Sequence, residues 1–89
     1  MNRYKILLVE DDDIVAIDTR RRLETLGHEV AAVVPDGPGA LAAVREVAPD
    51  VVLMDIGLPG DMDGIEAAAQ LKALWDAPVV YLTAHEDED

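Results

Sequence analysis

The stretch VVLMDIGLPGDMDG (residues 51–64) drives four apolar side chains into an aspartate and then breaks into glycine, proline and more acid. An unbroken apolar run suits a strand covered on both faces, as in a parallel sheet, because a strand with one wet face would alternate. Residues 50–55 (DVVLMD) are therefore read as a buried strand that ends on a carboxylate, Asp55. KILLV (5–9) and APVVYLTA (77–84) have the same character. HEVAAVV (28–34) is a fourth strand with a weaker signature, since alanines are poor strand formers.

Helical spacing fills the intervals. Val15, Thr19, Leu23 and Leu26 recur at helical intervals, with Arg20, Arg21, Arg22 and Glu24 left for solvent. Asp12 or Asp13 can cap that helix and Gly27 can end it. After the turn marked by PDG (35–37), Leu41, Val44 and Val47 keep a helical period until Pro49. Ile65, Ala68, Leu71 and Leu74 or Trp75 repeat the pattern before Pro78. The order is βαβαβαβ, which implies an open parallel sheet wound on both faces with right-handed crossovers.

Composition narrows the function. Eighty-nine residues leave room for one small domain with a thin stability margin. The 19 acidic against 7 basic side chains give a formal charge of −12, which repels phosphate backbones and anionic lipid and favours cations or a basic protein surface. Nucleic-acid binding through this chain is not expected. The absence of cysteine excludes disulfides and thiolate metal sites. The apolar run at 6–9 is too short for a signal peptide and no segment reaches membrane-spanning length, so the expectation is a soluble cytoplasmic protein.

In a doubly wound sheet, ligands sit beyond the carboxyl ends of the strands where the winding reverses. The first strand runs out into Glu10 and Asp11, the third ends in Asp55 and the fourth in Thr83. All four converge on one rim if the spatial order is 2-1-3-4. Three carboxylates gathered there need a raised pKa or a cation to coexist. Oxygen donors without His or Cys select Mg²⁺ or a similar hard ion, which keeps several waters and leaves room for a phosphate oxygen. Asp55 is then shielded enough to attack phosphorus, and Thr83 can donate its hydroxyl to the incoming group.

Three pieces, ILLVEDD (6–12), VVLMDIGLPGDMDG (51–64) and VVYLTAH (79–85), resemble the response-regulator receiver family, the phosphoacceptor half of two-component signalling. The resemblance runs from about Lys5 to Ala84. It implies a flavodoxin-like α/β fold and a signalling switch in place of a turnover enzyme. Asp55 would take a phosphoryl group from a phosphohistidine on a histidine kinase or histidine phosphotransfer protein. Asp11 and Asp55 would be direct Mg²⁺ ligands, Glu10 would act mainly through a metal-bound water, and the backbone carbonyl of Gly57 would add a further ligand. Thr83 would be the switch hydroxyl and Ala84 the small residue that leaves the phosphoryl group room. Asp61 and Asp63 receive no ligand role.

The sequence departs from the family in two places. The loop GLPGDMDG carries one residue more than the commonest form. The chain also ends after the fourth strand, where the family continues through a helix, a strand and a helix, so residues 1–89 are expected to be a single, C-terminally incomplete receiver domain. The lysine that grips the phosphoryl group and the aromatic switch residue lie in the part not present. Lys5 opens the first strand at the far rim and Lys72 lies on a helix, so neither substitutes. Without that charge, transfer is expected to be slow or lost, since removing one preorganised charge costs on the order of 3 kcal/mol. One apolar face and one strand edge are expected to be open, which predicts self-association as a swapped or edge-paired dimer, or an excised piece of a longer protein.

Plainer readings exist for each residue. Asp55 could cap a turn, Glu10 and Asp11 could serve the helix that follows, and Thr83 could be an ordinary strand residue. His28 and His85 read as solvated, and Trp75 and Tyr81 as packing residues. Arg20 to Arg22 read as a solvated helix face that could also meet a phosphodonor. An aspartyl phosphatase would need a second acid two residues after Asp55, where Gly57 stands. A nucleoside triphosphatase would need a GxxxxGK[ST] loop, which is missing. The remaining rival is a metal-binding or self-association module impaired in phosphorylation.

Overall fold

A computed structural model of the protein describes residues 3–82. The elements follow in the order β1 (Lys5–Val9), α1 (Asp13–Thr25), β2 (Glu29–Val34), α2 (Gly37–Val47), β3 (Val51–Asp55), α3 (Gly64–Leu74) and β4 (Val79–Leu82). The four strands form one sheet in the order β2-β1-β3-β4, and every pair is parallel. The expected fold class, a flavodoxin-like doubly wound parallel sheet, is what the chain adopts.

Successive residues of β1 and β3 point to opposite faces, and both faces are dry, which is why these strands read as unbroken apolar runs. Leu7, Val9, Val52 and Met54 pack under α2 and α3 with Ala40, Val44, Leu58, Ala67 and Leu71. Ile6, Leu8 and Leu53 pack on the other face with Val30 and Ala16 of α1. Two helices thus cover one face and one helix covers the other, among the described residues. Val80 lies opposite Leu53 on the thinly covered face and is 47% exposed.

β2 has an irregular pattern for a specific reason. Its register against β1 slips between Ile6 and Leu7: Ile6 faces Val30 but Leu7 faces Ala32. The extra residue, Ala31, is a bulge, and it turns the rest of the strand over. Val30 therefore joins the α1 side, whereas Ala32 and Val34 pack on the α2/α3 side.

The helix starts are set by aspartates. Asp12 caps α1 by accepting from the N–H groups of Ile14 and Val15, Asp36 caps α2 through Gly39, and Asp63 caps α3 through Glu66. Gly27, at φ 97°, closes α1, whereas α2 is closed by Ala48 in a left-handed conformation at φ 52°. The expected inward faces of two helices need correction. On α1 the buried residue is Ala16, with Val15 and Leu26 exposed; on α3 the expected Ala68 and Leu71 are buried and Ala67 joins them, with Ile65 and Leu74 exposed. Small residues go inside because they let a helix axis come close to a flat sheet, and the bulkier neighbours are displaced to the flanks.

Two single-residue readings change and a third holds. His28 is half-buried: its Nδ1 accepts from the Tyr4 N–H at 3.1 Å, and its ring stacks on that of Tyr4. Tyr81 is 41% exposed and is not a core residue. Trp75 does pack on the core, and its Nε1 donates to the Pro49 carbonyl at 2.9 Å, tying the end of α3 to the turn before β3.

Candidate functional site: an acidic cup at the strand ends

β1 and β3 are neighbours, and Val9 faces Met54. The next residue of each chain, Glu10 and Asp55, therefore arrives at the same rim side by side. Asp11 follows on the turn into α1. Each of the three offers one carboxylate oxygen, and these atoms lie within 4.8 Å of one another. Glu10 is 5% and Asp55 7% exposed, whereas Asp11 is open to solvent.

Backbone donors orient the cup. The N–H of Asp12 donates to Oε2 of Glu10 at 3.0 Å, and that of Gly57 donates to Oδ1 of Asp55 at 3.0 Å. Glu10 is tied to β2 by its own N–H, which donates to the Val34 carbonyl at 2.9 Å. The loop after β3 is anchored by Leu58, buried in the α2/α3-side core, turns at Gly60 with φ 89°, and returns where the Gly64 N–H donates to the Ile56 carbonyl.

Burial pushes the Glu10 carboxyl above the ordinary glutamate range. The Asp12 N–H pulls it down in part, and the nearby charges of Asp55 and Asp11 push it further up. Among the described residues no ion pair with a cationic side chain offsets these charges. The ion pairs among the described residues, Arg20–Glu24 and Arg22–Asp18, lie on the exposed side of α1. Lys5 sits at the opposite end of β1 and Lys72 in the last turn of α3, as read from the sequence. A group of three carboxylates, two of them buried, with oxygen donors alone fits a hard divalent cation.

The sequence expectations for Glu10, Asp11 and Asp55 thus come together in space. Gly57 lies beside them through its N–H bond to Asp55. Thr83 and Ala84 lie outside the described residues. Two contributors were missed, the Asp12 N–H and Gly64; the MDG that ends the loop was the available signal for Gly64.

A parallel sheet in the order 2-1-3-4 with an acidic cup around a strand-end aspartate defines a doubly wound α/β domain with an acidic site at the carboxyl ends of its strands. The model of the response regulator receiver domain matches residues 6–89, and the chain belongs to that family. It is 45% identical over 85 residues to the DNA-binding response regulator MtrA of Mycolicibacterium smegmatis, covering 96% of this chain and 36% of that protein. It is 41% identical over 83 residues to the sensory transduction protein RegX3 of Mycobacterium tuberculosis, covering 93% of this chain and again 36% of the relative. The chain therefore spans about a third of the length of these curated relatives.

Solved structures agree. The signal receiver domain of a modulated diguanylate cyclase from Desulfovibrio desulfuricans G20 superposes with a TM-score of 0.86 at 37% identity, covering 93% of this chain and 66% of that one. A LuxR-family two-component response regulator from Aurantimonas sp. SI85-9A1 gives 0.86 at 38% identity, covering 96% and 61%. No helix among the described residues is long and apolar enough to cross a membrane.

Proposed function

We propose that this receiver domain accepts a phosphoryl group on Asp55 from a phosphohistidine of a histidine kinase or histidine phosphotransfer protein. The convergence of Glu10, Asp11 and Asp55 within 4.8 Å, with Asp55 buried at the end of β3, carries the reading. A carboxylate oxygen of Asp55 attacks phosphorus, the P–N bond breaks, and the imidazole nitrogen of the donor keeps the electron pair. The product is an acyl phosphate that water later hydrolyses, returning Asp55 to its carboxylate form. In this reading the protein is a switch and not a turnover enzyme.

Glu10, Asp11, Asp55 and the backbone carbonyl of Gly57 would hold Mg²⁺, which supplies positive charge against the transferring group. Following the family resemblance, Asp11 would be a direct ligand and Glu10 would act mainly through a metal-bound water; the grouping of the three carboxylates supports a shared ion. Thr83 would be the switch hydroxyl and Ala84 the small neighbour; the family match across residues 6–89 supports both. The acidic surface favours a protein partner over nucleic acid, and the working compartment is the cytoplasm.

Incubation with a small phosphodonor followed by intact mass analysis tests the proposal. The expected result is a Mg²⁺-dependent phosphate adduct that Asp55→Asn abolishes. An adduct that persists in the variant would overturn it, and a parent chain that binds Mg²⁺ yet forms no adduct would favour the phosphorylation-impaired rival.

A further inference from the structure

Gly64 opens α3 and is buried. A methyl group added there would stand 2.8 Å from the Ile56 Cα and 3.1 Å from the Asp55 carbonyl carbon, and closer still to the Asp55 carbonyl oxygen. Its φ is not in the left-handed region that Gly27 and Gly60 occupy, so close approach is what calls for glycine here. The Gly64 N–H also donates to the Ile56 carbonyl at 3.1 Å. The first turn of α3 therefore presses directly on the peptide that joins Asp55 to Ile56.

The other tight glycines differ. A methyl on Gly37 would meet Sδ of Met62 at 2.7 Å and, at 3.2 Å, the Ala67 Cβ, and one on Gly39 would come nearest to Oδ1 of Asp36, at 2.9 Å. The nearest of these atoms are at the far ends of the Met62 and Asp36 side chains, which can swing aside. The backbone of β3 cannot, because it is hydrogen-bonded to β1 on one side and β4 on the other. Opening the 2.8 Å contact to an ordinary one needs about 0.6 Å, more than the ~0.5 Å within which a working site must hold its groups. That displacement falls on the loop from Ile56, whose Gly57 N–H orients the Asp55 carboxylate.

We propose that Gly64 is a positioning residue for Asp55: its bare Cα lets the start of α3 seat the Asp55–Ile56 peptide, and through it the carboxylate and the Gly57 backbone. The inference rests on the reading of Asp55 and Gly57 as parts of the metal and phosphoryl site.

The test is calorimetric titration of the 89-residue chain with Mg²⁺, alongside amide NMR spectra without metal, with trimethylamine oxide added to keep variants folded. Gly64→Ala is expected to weaken Mg²⁺ binding by about tenfold or more and to move the Gly57 amide signal. Gly37→Ala should lose stability, recover it with Met62→Ala, and keep its Mg²⁺ affinity throughout. Parent-like Mg²⁺ affinity in folded Gly64→Ala would overturn the inference. If the parent chain itself binds no Mg²⁺, the functional proposal fails, and the Gly57 amide then decides: unmoved in Gly64→Ala, it overturns the positioning role. Should Gly64→Ala not fold, Asp63→Ala frays the first turn of α3 while Asp63→Asn keeps the cap and removes the same charge. Weaker Mg²⁺ binding by the alanine variant supports the inference, and equal binding overturns it.

Discussion

Glu10 and Asp55 lie side by side on adjacent parallel strands, one residue beyond the pair Val9 and Met54, and both are buried. Two carboxylates in that position repel each other and have lost most of their water. The metal-free protein therefore carries a built-in penalty that a cation removes.

The penalty has a sign that pH reveals. Because the folded state raises the Glu10 pKa, the stability that its proton contributes is fully present below the ordinary glutamate range. It is lost as pH rises through the raised folded value. Glu10→Gln should remove this part of the pH dependence and stabilise the metal-free protein at neutral pH by about 1 kcal/mol, since the amide can still accept from the Asp12 N–H. Urea unfolding in EDTA across pH measures it; a variant less stable than the parent at neutral pH would refute the account.

Ala48 holds a left-handed conformation at φ 52° on an exposed turn, where an L side chain costs roughly 1 kcal/mol relative to glycine. Ala48→Gly should raise stability by about 0.5–1 kcal/mol, with part of the gain offset by a more flexible unfolded chain. Thermal unfolding checks it, and a lower Tm would mean that this backbone carries no strain.

The α1-side face exposes Val15, Leu26 and Val80, and β4 pairs with β3 alone among the described residues. We expect concentration-dependent self-association that strengthens with salt, because a charge of −12 opposes it and salt screens that charge. Light scattering after size exclusion should find a dimer that Val80→Glu weakens. A parent chain that stays monomeric at high concentration and high salt would contradict the expectation.

The strands and the cup were legible in the sequence because their signals are local and strong. Apolar runs that stop on acids place Glu10, Asp11 and Asp55 once the strand order is known. The helix faces were less legible. Periodicity rightly selected Ala68 and Leu71 but also Val15, Leu26, Ile65 and Leu74, whereas close packing on the sheet took Ala16 and Ala67 in their place. In β2 the bulge at Ala31 breaks the period that any alternation rule relies on. The role of Gly64 depends on an approach between residues eight or nine positions apart, and no propensity scale records that distance.

The unequal covering of the two faces makes the sheet mechanically lopsided. Under α2 and α3 the strands have a stiff floor of interlocked side chains, while among the described residues the roof over the other face is a single helix seated on one alanine and partly buried Leu23. Amide protons of α1 should exchange with solvent before those of β3, so the roof yields first. Glu10 and Asp11 hang from the strand that leads into that roof, and anything that grips both of them also fastens it shut.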